Sequence, residues 1–168
     1  MNKKYELVVD DTISFLGKTL FRIKAKITFG NVKEGELGGY VEKESNLSHH
    51  DNAWVGDNAW VCDNAWVGGD AQVGDNAWVG GDAWVGGDAR VGGDARVESL
   101  RDYIIFKNNW SSGRYFTYTK SNKMWRVGCF YGTGQELVNK AYKDSEDSGK
   151  HYEAYVKFVE MLEELENE

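Results

Sequence analysis

The sequence predicts a mainly β protein wound around a repetitive solenoid, and three observations carry that reading. Valine recurs every sixth residue without a slip, at Val55, Val61, Val67, Val73, Val79, Val85, Val91 and Val97. Two residues before each valine stands an alanine, from Ala53 to Ala95. After the valines come turn-forming triplets, Gly-Asp-Asn or Gly-Gly-Asp with one Cys62 substitution, and the chain has no proline. A fixed period outranks other signals, because it states the architecture directly.

A helix needs an apolar period near 3.6, which one valine in six cannot supply. Ala-x-Val instead gives two inward side chains around one outward side chain, a very short strand. Gly, Asp and Asn at the corners accept positive φ or bond their own backbone. One such turn cannot bury its own apolar face, so successive coils must stack.

The slots Val-Gly-x-x-Ala-x resemble the hexapeptide repeat of left-handed parallel β-helices. The resemblance implies three hexapeptides per triangular coil over residues 51–97, in two to three coils. Residues eighteen apart then stack at the ordinary strand spacing of roughly 4.8 Å. Asn52 would lie over Asp70 and Asp88, and Asn58 over Asn76 and Asp94, as ladders that satisfy corner backbone groups. The outward slot holds Trp54, Trp60, Trp66, Gln72, Trp78, Trp84, Arg90 and Arg96. Stacking by eighteen gives one face with Trp54, Gln72 and Arg90, a second with Trp60, Trp78 and Arg96, and a third with Trp66 and Trp84. Five tryptophans outside a solenoid are more apolar area than a monomer leaves wet. They are expected to meet the chain's own flanks, a sister subunit, or a ligand.

The flanks follow in order. Residues 1–50 are read as an N-terminal β cap and an irregular first coil. Residues 3–9 and 18–29 alternate as strands, with Phe21, Ile23, Ala25, Ile27 and Phe29 on one face and Arg22, Lys24 and Lys26 on the other. A solenoid end is an unpaired sheet edge and needs such a cover. Val41 and Leu47 are six apart but two residues out of phase with Val55, which predicts a two-residue insertion around Ser48–His50. His49 and His50 are adjacent and point apart on an extended chain, a poor chelate that reads as solvent-exposed loop. Residues 98–168 are read as a β-β-β-α-α module. Its strands lie at 103–106, 114–119 and 124–132, and Thr133-Gly-Gln-Glu136 opens a first helix as a capping box. A second helix from about Lys150 to Glu166 carries Tyr152, Tyr155, Val156, Val159, Leu162 and Leu165 on one stripe.

The segments TLFRIKA, FGNVKEGELGGYVEKESNLS, the DNAWV repeats and VGCF with a nearby GT together resemble a group of small phage and prophage proteins. That group has no settled activity and is often labelled transferase for the hexapeptides alone, although fold does not imply function.

Composition narrows the function. The formal charge is −7, with eight Asp against two Arg in the repeat, which argues against a duplex nucleic-acid partner. Cys62 and Cys129 are two distant cysteines, no disulfide framework, and suit a reducing cytoplasm. No apolar run has membrane-spanning length, so neither secretion nor a membrane is expected.

Three functions compete. An acyltransferase of the hexapeptide kind needs a general-base histidine in a groove, and His49, His50 and His151 all lie outside the repeat. A related carbonic anhydrase needs a zinc-holding histidine set that the spacing lacks. The leading expectation is therefore a protein with no catalytic residues, no metal and no cofactor. It would be a homo-oligomer, a trimer by resemblance, that sequesters a nucleotide-like host signal in inter-subunit grooves as counter-defence in the host cytoplasm. Trp60, Trp78, Trp84, Arg90 and Arg96 are its candidate ligand contacts, since tryptophan stacks on bases and arginine forks onto phosphate. Trp54, Trp60, Trp66, Trp78 and Trp84 are its candidate interface. The third reading is an inhibitor that docks such residues directly onto a host defence protein.

Overall fold

The computed structural model describes residues 2–168. Its centre is a stack of two-residue strands, one per repeat. These are β4 (Trp54–Val55), β5 (Trp60–Val61), β6 (Trp66–Val67), β7 (Gln72–Val73), β8 (Trp78–Val79), β9 (Trp84–Val85), β10 (Arg90–Val91) and β11 (Arg96–Val97). Each of β4 to β8 pairs in parallel with the strand three repeats on, so that Trp60 lies over Trp78 and Trp78 over Arg96. The result is a β-solenoid with three faces, β4-β7-β10, β5-β8-β11 and β6-β9. All eight valines and all eight alanines are buried and fill its interior.

The corners explain the choice of turn residues. One corner slot in every repeat takes positive φ, between 51° and 61°. Asp51, Asp57, Asp63 and Asp75 fill it in four repeats and Gly69, Gly81, Gly87 and Gly93 in the other four. Aspartate is among the few side chains that tolerate this region, and here it also stitches coils together. Asp57 accepts from the Asp75 N–H at 3.0 Å, and Asp75 in turn from the Gly93 N–H at 2.7 Å. Of the two expected side-chain ladders one rung is hydrogen-bonded, with Asn52 Nδ2 donating to Asp70 at 2.8 Å.

Before the repeat, β1 (Tyr5–Phe15) and β2 (Lys18–Ala25) form a hairpin that continues through β3 (Leu37–Val41) onto the β5 face. Tyr40 pairs with Trp60, and Leu47 bridges to Val67, each an offset of twenty residues instead of eighteen. The two extra residues fall between Leu47 and Val55, where the phase slip predicted them. Two points differ from the alternation pattern. Leu20 is fully buried although it sits on the side opposite Phe21 and Ile23, and Ile27 is exposed. A register shift between Val8 and Thr12 lets the two ends of the hairpin bury different sides.

Each end of the solenoid presents backbone groups that need partners. At the first coil, Tyr40 N–H bonds Ala59 O at 2.9 Å, and Ser48 N–H bonds Val67 O at 2.9 Å. The buried Asn46 amide donates to Ala65 O at 2.8 Å, and the buried Lys4 ammonium to Ala53 O at 2.8 Å. Burial lowers the Lys4 pKa from its ordinary 10.5 to about 8, against the pull of Asp51 and Asp70. Between pH 8 and 10 the unfolded chain therefore holds a proton at Lys4 that the folded chain has lost. Stability contributed by this group rises with pH across that window. Denaturation at pH 7.5 and 9.5 should show the rise in the native protein and its loss in Lys4→Met.

At the last coil, hydroxyls from the C-terminal sheet do the same work. Thr117 Oγ1 accepts from Arg90 N–H at 3.0 Å, and Ser121 Oγ from Arg96 N–H at 2.8 Å. That sheet is a four-stranded meander of β12 (Tyr103–Lys107), β13 (Tyr115–Thr119), β14 (Met124–Val127) and β15 (Phe130–Gly132). The expected three strands are thus four, because Gly128 at φ 57° folds the 124–132 segment back on itself. Helix α1 (Gly134–Asp144) opens on the predicted capping box at Thr133 and Glu136. Helix α2 (Glu146–Glu166) starts before Lys150, since Ser145 caps it by accepting from Ser148 N–H at 3.0 Å. Phe116, Trp125, Leu137, Tyr152, Val156 and Val159 form the core between sheet and helices. Leu162 and Leu165, expected on the same stripe, are exposed. Among the described residues, no helix is long and apolar enough to cross a membrane.

Candidate functional site

The outward tryptophans, equivalent in sequence, occupy three different environments. Trp54 is 4% exposed and meets Phe29 edge-on at 5.5 Å, so it belongs to the core and has almost no area to offer a partner. Trp60 and Trp78 are half-buried beneath Phe15 of the hairpin, at ring distances of 4.9 and 5.3 Å. Trp78 also donates its indole N–H to the buried Cys62 sulfur at 3.2 Å, and Arg96 lies over its ring at 5.8 Å. On the third face Trp66 and Trp84 meet edge-on at 5.1 Å, and Trp84 is 55% exposed, the most open of the five. Of the five interface candidates, Trp84 is thus the one left exposed, while the chain itself buries Trp54 and partly covers Trp60 and Trp78.

The five ligand candidates are not brought together within the chain. Trp60, Trp78 and Arg96 share one face, Trp84 lies on another, and Arg90 on the remaining one. Six residues are a third of a coil, so Trp84 and Arg90 point in different directions despite their closeness in sequence.

Arg90 alone opens onto a large cleft. The β4-β7-β10 face forms its floor, where the outward slot changes from the buried Trp54 to Gln72 and Arg90. The loop carrying Gly30, Asn31 and Glu36 flanks it on one side, and Arg114, Tyr115, Thr117 and Arg126 from the C-terminal sheet on the other. The enclosed volume is about 760 Å³. Four aspartates and Glu36 line it and would repel an anion; the hydrogen bonds they accept orient their oxygens but leave their charge in place. Asp57 and Asp75 hold corner N–H groups, Asp70 holds the Asn52 amide, and Asp88 lies by the Tyr115 hydroxyl, whose pKa it raises. Arg126 pairs with Asp75 at 3.0 Å and covers Tyr131 at 4.9 Å, leaving its buried Nε without a partner. The guanidinium groups of Arg90 and Arg114 make no ion pair or hydrogen bond among the described residues. Arg114, Arg126 and Tyr115 were missed from sequence because tertiary packing alone sets them against the coil. Gln72, the one neutral polar residue in the outward slot, was the available signal.

The histidines are elsewhere. His49 accepts the Lys4 N–H on Nδ1 at 3.2 Å, which leaves the ring proton on Nε2 facing Glu44 at 2.8 Å. It stacks on Tyr5 at 4.3 Å, so it is a packed part of the first coil and not the exposed loop expected. His50 is exposed and His151 lies on α2. Glu42, Cys62 and Asp63 gather their ligating atoms within 4.8 Å of one another. The ammonium of Lys18 sits against both carboxylates, and Asp63 also accepts the Gly81 N–H at 3.1 Å. One of its two negative charges is thus offset, and the cluster is bound into the coil.

The chain matches no protein-family model, and no curated protein is significantly similar to it. Its function rests on this geometry.

Proposed function

We propose that the protein is a left-handed β-helix that binds and holds a small anionic ligand without turning it over, with the cleft on the β4-β7-β10 face as the site. One observation carries this reading. Arg90 from the last coils and Arg114 from just before β13 reach the cleft with guanidinium groups that make no ion pair or hydrogen bond among the described residues, beside carboxylates whose oxygens already accept hydrogen bonds. Uncommitted guanidinium groups suit phosphate. The half-exposed ring of Tyr115 beside them offers a stacking surface, so a nucleotide-like molecule fits the pair better than inorganic phosphate. The cleft lining holds no histidine to serve as general base. The phage resemblance adds counter-defence as the purpose, with a host immune signal as the ligand and the host cytoplasm as the place. The hexapeptide-repeat resemblance implies a trimer, for which the Trp66–Trp84 face is the available surface.

The test is calorimetry against a panel of cyclic and ADP-ribose-derived nucleotides. Arg90→Ala and Arg114→Ala should each weaken binding by about 1.5–3 kcal/mol, the range for a hydrogen bond to a charged group. An acetyl-CoA turnover assay runs beside it. Steady acyl transfer that disappears with a histidine variant would overturn the reading in favour of an acyltransferase. Silence in both assays would favour an inhibitor docked on a host defence protein. Trp110 supports that second reading, being 79% exposed on a loop stiffened by four bonds to the buried Asn108 side chain.

A further inference from the structure

Helix α2 carries two apolar stripes, and the fold uses only one. Tyr152, Val156 and Val159 are buried against the C-terminal sheet. The second stripe is Ala154, Phe158, Met161 and Leu165, spaced four, three and four residues apart. At 3.6 residues per turn it lies roughly 150° around the helix from the first. Its spacing is that of a heptad seam, which ordinarily packs against another helix. Met161 is 63% and Leu165 65% exposed, with Phe158 about half exposed beside them.

Charge selects the occupant. Lys157 and Glu164 flank the seam on one side, one heptad apart. If a second copy of α2 runs antiparallel with Phe158 layered against Met161, Lys157 of each helix comes beside Glu164 of the other, twice by symmetry. The same register sets the small Ala154 against Leu165. Tyr155 and Leu162, on the opposite flank, then extend the apolar contact. A parallel pair would set Lys157 beside Leu162 and gain no charge pairing. We propose that α2 joins two copies of this chain through an antiparallel coiled-coil contact across a twofold axis, which is self-complementary as such an interface must be. It is independent of the ligand cleft and of any packing between solenoid faces.

Sedimentation of the full chain tests it. The native protein should assemble at micromolar concentration, and Met161→Glu should halve the assembly mass without lowering the melting temperature, since this side chain is exposed in the single chain. Lys157→Glu and Glu164→Lys should each weaken association by roughly tenfold. The double reversal should restore it, because the two ion pairs are then re-formed with exchanged signs. Trp84→Ala should leave this contact intact. A native monomer, a mass insensitive to Met161→Glu, or a double reversal no better than the single ones would each overturn the proposal.

Discussion

Val73→Asp is expected to abolish cooperative folding. Val73 is 1% exposed and sits mid-column, paired with Val55 on one side and Val91 on the other. The interior here is only as wide as the inward valines and alanines of three faces, so a carboxylate finds neither water nor a donor. Burying it without a partner costs several kcal/mol, a large part of a typical domain's total stability. A solenoid has a further weakness, since each coil contacts only its neighbours and a fault at the middle coil separates the two ends. Circular dichroism on heating should show no transition where the native protein melts sharply. An unchanged melting temperature would mean that the valines are not the inward residues.

Trp54→Ala should cost about 3–5 kcal/mol, as is usual for removing a buried tryptophan. Trp84→Ala should cost under about 1 kcal/mol, as surface substitutions do. The two residues hold the same slot in different copies of the repeat. Trp54 has Phe29 against its ring and Gly38 beneath it, where even a Cβ would stand 2.7 Å from the indole. Trp84 has only Trp66 edge-on and water on its other side. Denaturant midpoints for the two variants measure the difference directly. Equal costs would show that the segment around Phe29 does not cover the first coil.

That contrast marks how far local sequence reaches. The valine phase, the corner chemistry, the two-residue slip before Val55 and the Thr133 capping box were all legible. Each is a relation between residues a few positions apart, governed by backbone geometry. The meander turn at Gly128 was present as a glycine, but it was hidden inside a run whose apolar content suited one strand. Leu20 escaped because strict alternation does not anticipate a register shift in the hairpin.

The candidate site was legible in one residue, Arg90, and in the change of the outward slot from tryptophan to glutamine and arginine. Its other members come from Arg114, Tyr115 and Arg126, in a sheet whose position over the last coils no local pattern encodes. By itself the sequence determined a stack of short strands with alanine and valine inside and eight outward positions in three columns, because period and turn chemistry act along the chain. Only the tertiary structure decided which columns are covered and which arginines remain unpaired. Those outcomes depend on where the hairpin and the C-terminal sheet dock, and docking is set by surface area and hydrogen bonds between segments far apart in the chain.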